Sequence, residues 1–142
     1  MHLKFGRCIT FLSLLLLSAS VIFGAAKLRL LEQREEIVLQ NAADCTAFLL
    51  QHGIAVCQPP IALERIRLPA VYNDTYEAYL RLQEEQGLSL RVCAGEPAQL
   101  YIYEDAADHS LLVTLIVCDD KLVAADISSC ENGGMRPLWE MG

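Results

Sequence analysis

Residues 111–128, LLVTLIVCDDKLVAADIS, decide the fold of this chain. Two apolar runs, 111–118 and 122–128, flank a short link that begins with Asp119 and Asp120. Apolar runs of this length joined by a polar link predict a β-hairpin. The run 111–118 is almost continuously apolar, which indicates that both faces of its strand are covered.

The register of this hairpin follows if Asp119 and Asp120 are the two turn residues. The predicted pairs are Cys118 with Lys121, Ile116 with Val123, and His109 with Cys130.

Further strands are predicted before the hairpin. Residues 99–104, QLYIYE, alternate in polarity and predict a third strand, which completes a C-terminal three-stranded antiparallel meander. Residues 54–57 and 63–68 predict extended segments. The second of these ends at Pro69 and is placed at a sheet edge.

Two helices are predicted to cover the sheet. The first spans residues 42–52, with Asn41 as its N-cap and Gly53 as its stop. The second begins at a capping box formed by Asp74 and Glu77 and ends at Gly87.

One face of the second helix carries Tyr76, Tyr79 and Gln83, and Tyr72 lies just ahead of it. Two interpretations of this aromatic face remain open. It packs on the sheet with the tyrosine hydroxyls at the rim, or it lines a groove for a small molecule or a peptide.

The N-terminal part of the chain predicts a membrane segment. Residues 9–26 carry no charge and are long enough as a helix to span one hydrocarbon core. We therefore expect residues 1–8 to be a short cytoplasmic head, 9–26 a transmembrane signal-anchor in contact with lipid, and 27–40 a helical stalk. The alternative is a signal peptide that is cleaved near Ala26, which would release a secreted protein.

These elements predict an α+β protein: an N-terminal transmembrane helix followed by a small extracytoplasmic domain, residues 41–142, in which two helices cover an antiparallel sheet. The chain has 18 acidic and 11 basic residues and a net charge of −7. An acidic chain without a basic patch excludes nucleic acid as a partner.

No catalytic constellation or cofactor motif is present in the sequence, so we expect neither an enzyme, nor a cofactor, nor a metal site. The acidic loop 104–109, which ends in His109, contains ligand types but matches no calcium loop and is interpreted as solvated. The cysteines beyond residue 26 are widely and irregularly spaced. We expect at most one disulfide, with Cys118 reduced and buried.

Short motifs spread over residues 42–135 carry a resemblance to a known family. They are Gly53-Ile54-Ala55-Val56, Ile66-Arg67-Leu68-Pro69, Tyr72, Tyr76, Tyr79, Leu82-Gln83, Gln86-Gly87-Leu88-Ser89-Leu90, Tyr101-Ile102-Tyr103 and the hairpin 117–126. A domain with these motifs resembles the bacterial domain-of-unknown-function 4830 family. The resemblance implies a membrane-anchored or exported α+β domain and assigns no activity.

The chain departs from the pattern of that family in three places. Ile54 replaces an expected tryptophan, Asp120 replaces a turn glycine, and Ala124-Ala125 replace a glycine pair. The last change suggests tighter strand packing.

Three classes of function remain. The first is a membrane-anchored extracytoplasmic module that binds a protein or a small ligand, with a concave surface beside the tyrosine helix. The second is an accessory subunit of a membrane or envelope complex, with a flat apolar patch and no ligand of its own. The third is a small hydrolase, which requires a nucleophile beside a histidine or carboxylate in a cleft.

Overall fold

The strands of the sheet lie side by side in the order in which they occur in the chain. The structure, a computed structural model, describes residues 35–139. Its strands are β1 (Ala62–Arg67), β2 (Pro97–Glu104), β3 (Leu111–Cys118), β4 (Lys121–Ser129) and β5 (Met135–Arg136). All neighbouring strands are antiparallel. The α+β class is confirmed, and the predicted three-stranded meander is the centre of a five-stranded sheet.

The turn between β3 and β4 has the geometry of a tight hairpin. Asp119 and Asp120 both have positive φ angles, 52° and 60°, as in a type I′ turn. Cys118 pairs with Lys121, as predicted. An aspartate therefore adopts the left-handed conformation for which a glycine is the usual residue.

A β-bulge changes the register of the hairpin beyond the turn. The register shifts between Ile116 and Val117, so that Ile116 pairs with Ala124 and not with Val123. The extra residue moves every later pair by one position. The predicted pairing of His109 with Cys130 is consequently wrong.

The two helices cover opposite faces of the sheet. Successive side chains of a strand point to opposite sides, so each strand contributes residues to both faces. Helix α1 (Ala42–Gln51) packs on one face, and the buried members of this cluster include Cys45, Leu49, Tyr103, Val113 and Leu115. Helix α2 (Glu77–Glu85) contributes to the other face, where the buried cluster includes Leu80, Ile116, Cys118 and Ala124. Burial on both faces explains why β3 is almost continuously apolar.

Helix α1 begins as predicted and ends at Gln51, one residue before the predicted end. The Asn41 side chain accepts a hydrogen bond from the Asp44 amide at 3.0 Å. Gly53 follows the helix with a φ angle of +76°. Nδ1 of His52 lies 2.9 Å from the Phe48 carbonyl oxygen, at the end of the helix.

Helix α2 begins differently from the prediction. A 3₁₀ turn, Asp74–Tyr76, precedes it, and the side chain of Asn73 accepts a hydrogen bond from the Thr75 amide at 3.1 Å. Asn73 occupies the capping position one residue earlier, so the predicted capping box of Asp74 and Glu77 is wrong. The predicted stop is correct, because Gly87 has a φ angle of +80°.

The predicted helical stalk, residues 27–40, is wrong over residues 35–40, which are extended. Val38 forms an antiparallel bridge with Lys121. The Leu39 amide donates to the Asp120 carbonyl at 2.8 Å, and the Leu39 side chain is buried in the core. Residues that pair with a strand and fill the core cannot belong to a separate helix.

The predicted head, residues 1–8, the predicted anchor, 9–26, and the first part of the stalk, 27–34, lie outside the described residues. Within 35–139, no helix has the length and apolar character needed to cross a membrane.

The predicted strand 54–57 is reduced to one isolated bridge, between Val56 and Asp105. Two hydrogen bonds support it. The Cys57 amide donates to the Glu104 carbonyl at 2.8 Å, and the Ala106 amide donates to the Ala55 carbonyl at 2.9 Å.

Candidate functional site

Tyr79 and a buried carboxylate meet where α2 packs on β4. The Tyr79 hydroxyl donates to Oδ1 of Asp126 at 3.2 Å, and Asp126 is 2% exposed. Burial raises the pKa of Asp126 to about 6, although the hydrogen bond from Tyr79 acts in the opposite direction. Burial and the nearby Asp126 charge raise the pKa of Tyr79 as well.

Two glutamines of α2 and its C-terminal end pair with the main chain of β4. Oε1 of Gln83 accepts a hydrogen bond from the Ala125 amide at 2.8 Å. Nε2 of Gln86 donates to the Ala125 carbonyl, also at 2.8 Å, and to Oε1 of Gln83 at 3.1 Å. The two side-chain amides therefore form the hydrogen bonds to the main chain of Ala125 that a neighbouring strand would otherwise form.

Gln86 also binds the C-terminal part of the described chain. Its side-chain oxygen, Oε1, accepts a hydrogen bond from the Leu138 amide at 2.6 Å. Its main-chain carbonyl oxygen accepts one from Nε1 of Trp139 at 3.1 Å. This role of Gln86 was not predicted, although Gln86 follows Gln83 by three residues and so lies on the same helical side.

The four predicted residues divide into two pairs. Tyr79 and Gln83 pack against β4, and Gln83 is fully buried. The rings of Tyr72 and Tyr76 are 5.7 Å apart at an angle of 80°, and Tyr76 is 41% exposed. A ligand-binding groove lined by these four residues remains a prediction.

The outer edge of β4 is covered along its length by three separate parts of the chain. Val38 bridges Lys121 near its start, the two glutamines bind Ala125, and β5 pairs with Ile127 and Ser128.

The opposite edge of the sheet, β1, is open. The Leu68 amide donates to the Glu96 carbonyl at 2.9 Å. Hydrogen-bonded pairs alternate along an antiparallel ladder, so the main-chain groups of Leu63, Arg65 and Arg67 point away from β2. Among residues 35–139, no strand pairs with β1 on this outer side.

A cavity of about 240 Å³ adjoins β1 and β2 on the face that carries α1. Its lining residues include Leu39, Arg65, Gln99, Tyr101 and Asp120. The wall thus contains both polar and apolar residues, next to the open strand.

The cysteines of the described residues, Cys45, Cys57, Cys93, Cys118 and Cys130, are free thiols. Burial raises the pKa of Cys118 to about 12, and a hydrogen bond with Cys93 acts in the same direction. Cys118 is buried, in agreement with the prediction.

His109 lies beside Cys57 and Glu104. Glu104 and His109 were predicted only as parts of a solvated loop. Cys57 was not predicted to join them, because it comes 52 positions before His109 and reaches it only through the bridge at Val56.

Comparison of the chain with family models, with curated proteins and with solved structures finds no match.

Proposed function

We propose that the domain is a protein-interaction module that binds an extended peptide as an additional strand along β1. The observation that carries this proposal is the contrast between the two edges of the sheet. The chain uses its residues 37–39, the glutamines of α2 and β5 to cover β4, whereas β1 is left with outward-pointing main-chain groups. An open edge strand is a template for pairing with another chain.

The side chains along β1 indicate what the peptide contains. Leu63 lies on one face of β1 and is 55% exposed, and Ile61, just before the strand, is 58% exposed. Arg65 continues this face and lines the adjacent cavity. In strand addition, main-chain hydrogen bonds provide affinity and alternate side chains provide specificity. The expected ligand is therefore an extended segment with apolar residues at alternate positions.

Replacement of Arg65 by proline tests the strand addition. Proline removes the outward amide hydrogen of this residue but is tolerated on the outer side of an edge strand, so the domain stays folded. We expect peptides selected from a display library of random linear sequences to bind the Arg65→Pro variant at least about tenfold more weakly, about 1.4 kcal/mol. Isothermal titration measures the change.

Arg65→Ala is the matched control, since it removes the same side chain and keeps the amide hydrogen. Peptides should bind this variant clearly more tightly than they bind the proline variant, because only the contribution of the Arg65 side chain is lost and the main-chain hydrogen bond is kept. Equal binding by the proline and alanine variants, or a selection that yields no binding peptide, would contradict the proposal.

We also propose that residues 9–26 anchor the protein in a membrane, with the domain outside the cell. The absence of charge in this segment supports the anchor, and the resemblance to the domain-of-unknown-function 4830 family implies the same location. After expression and cell fractionation, we expect the full-length chain in the membrane fraction, resistant to alkaline extraction. Soluble protein that begins near Lys27 would instead establish cleavage.

A further inference from the structure

Three metal-ligand side chains from distant parts of the sequence converge on one point. The donor atoms of Cys57, Glu104 and His109 all lie within 4.8 Å of one another. Sγ of Cys57 is 3.9 Å from Nδ1 of His109, and the same nitrogen contacts Oε1 of Glu104.

The main chain holds the first two of these residues side by side. The Cys57 amide donates to the Glu104 carbonyl at 2.8 Å, and the bridge between Val56 and Asp105 continues this pairing. The main chains of Cys57 and Glu104 are therefore held next to each other by the fold.

The loop that carries His109 is closed by its own hydrogen bonds. The Asp105 side chain accepts from the amides of Ala107 and Asp108, at 2.8 and 2.9 Å. The Asp108 side chain accepts from the Ser110 amide at 3.0 Å. Because these bonds order the main chain of the loop, little backbone entropy remains to be lost when His109 binds a ligand.

The arrangement does not match a catalytic triad. A triad uses the two imidazole nitrogens separately, one toward the nucleophile and one toward the carboxylate. Here Cys57 and Glu104 both face Nδ1 of His109. Three donor atoms within 4.8 Å of one another are instead close enough to share one cation.

The chemical types of the three side chains indicate which metal ion the site would bind. Zinc binds thiolate, imidazole and carboxylate in tetrahedral geometry, with bonds of about 2.0–2.3 Å. Those bond lengths place neighbouring ligands about 3.3–3.8 Å apart, close to the observed separation of Cys57 and His109. The Glu104 carboxylate touches Nδ1 of His109 directly, so it must turn aside to admit the ion. Calcium and magnesium require more oxygen ligands than this site offers.

We propose that Cys57, Glu104 and His109 bind one zinc ion. The thiolate and the carboxylate supply two negative charges, which balance the charge of the ion. The fourth position is taken by water, since the His109 side chain is 69% exposed and the site is open on that side. The Cys57 thiol releases its proton to solvent when the metal binds.

Metal titration of the reduced full-length protein tests this site. We expect one zinc ion per chain, measured by competition with a chromophoric chelator. Substitution by Co²⁺ should give the sulfur-to-cobalt charge-transfer absorption of a thiolate ligand. Cys57→Ser and His109→Ala should each weaken zinc binding at least about tenfold and should lose or alter this absorption.

The chain offers a matched control for each ligand. Cys93→Ser removes another partly buried thiol, and His52→Ala removes another histidine. Both variants should bind zinc as tightly as the unmodified protein does. The proposal is overturned if the unmodified protein takes up no zinc at micromolar concentrations, if Cys57→Ser binds it unchanged, or if Cys93→Ser abolishes the absorption. Circular dichroism verifies that each variant is folded.

Discussion

Replacing Gln86 by leucine should lower the free energy of unfolding by about 2–4 kcal/mol. Leucine fills a similar volume but leaves the Ala125 carbonyl and the Leu138 amide without the partners that they have in the native protein. An unpaired buried polar group costs about 1–3 kcal/mol. Urea-induced unfolding followed by circular dichroism measures the difference.

Glu85→Leu provides the control for this substitution. Glu85 is the preceding residue and is exposed, so the same replacement should change stability by less than about 0.5 kcal/mol. If Gln86→Leu also changed the free energy of unfolding by less than about 0.5 kcal/mol, the hydrogen bond from the Gln86 side chain to β4 would not be required for stability.

Replacing Asp126 by asparagine should stabilise the protein by about 2–3 kcal/mol at pH 7 and have little effect at pH 4. The carboxyl of Asp126 has its pKa raised from 3.8 to about 6 because it is buried. Its ionised form is therefore disfavoured in the folded state, and one pKa unit corresponds to about 1.4 kcal/mol. Asparagine keeps an oxygen for the Tyr79 hydroxyl and carries no charge.

The pH range of this effect follows from the two pKa values. Below about pH 4, Asp126 is protonated in both the folded and the unfolded state, and it imposes no penalty. The penalty grows as the pH rises and is complete above about pH 6. Urea unfolding at several pH values should show that the difference between the unmodified protein and Asp126→Asn increases over this range.

Glu85→Gln removes a charge from the exposed side of the domain. It should change stability by less than about 0.5 kcal/mol at both pH values. A difference between Asp126→Asn and the unmodified protein that is independent of pH would show that Asp126 does not titrate as its burial indicates.

Local signals in the sequence were sufficient for much of the fold. Asn41 and Gly53 mark the ends of α1 by hydrogen bonding and by backbone conformation, which are properties of single residues. The turn at Asp119 and Asp120 is likewise set by the short link between two apolar runs. Such features depend on neighbours in the chain and can be read without the tertiary structure.

Other features depend on contacts between distant residues. The bulge beside Val117 changes the register without an evident signal in the local pattern. Residues 35–40 look helical in isolation, but the unpaired edge of β4 offers Val38 and Leu39 hydrogen bonds and a buried site. Tertiary contacts of this kind outweigh local propensity.

The candidate sites show the same division. The sequence placed Tyr79 and Gln83 on one face of the helix, because residues four apart lie on the same side. The partner of Tyr79, Asp126, was not predicted, since it lies 47 positions further along the chain. The group of Cys57, Glu104 and His109 was also missed, because only the pairing of two chain segments brings it together.

The way in which β4 is covered has a consequence for partly unfolded states of the domain. The cover comes from residues 37–39, from Gln83 and Gln86, and from β5, residues 135–136. Strand β5 has only two residues, and both are exposed. A molecule in which β5 has separated from β4 exposes part of β4 in addition to β1, and so has two edges at which neighbouring chains can pair.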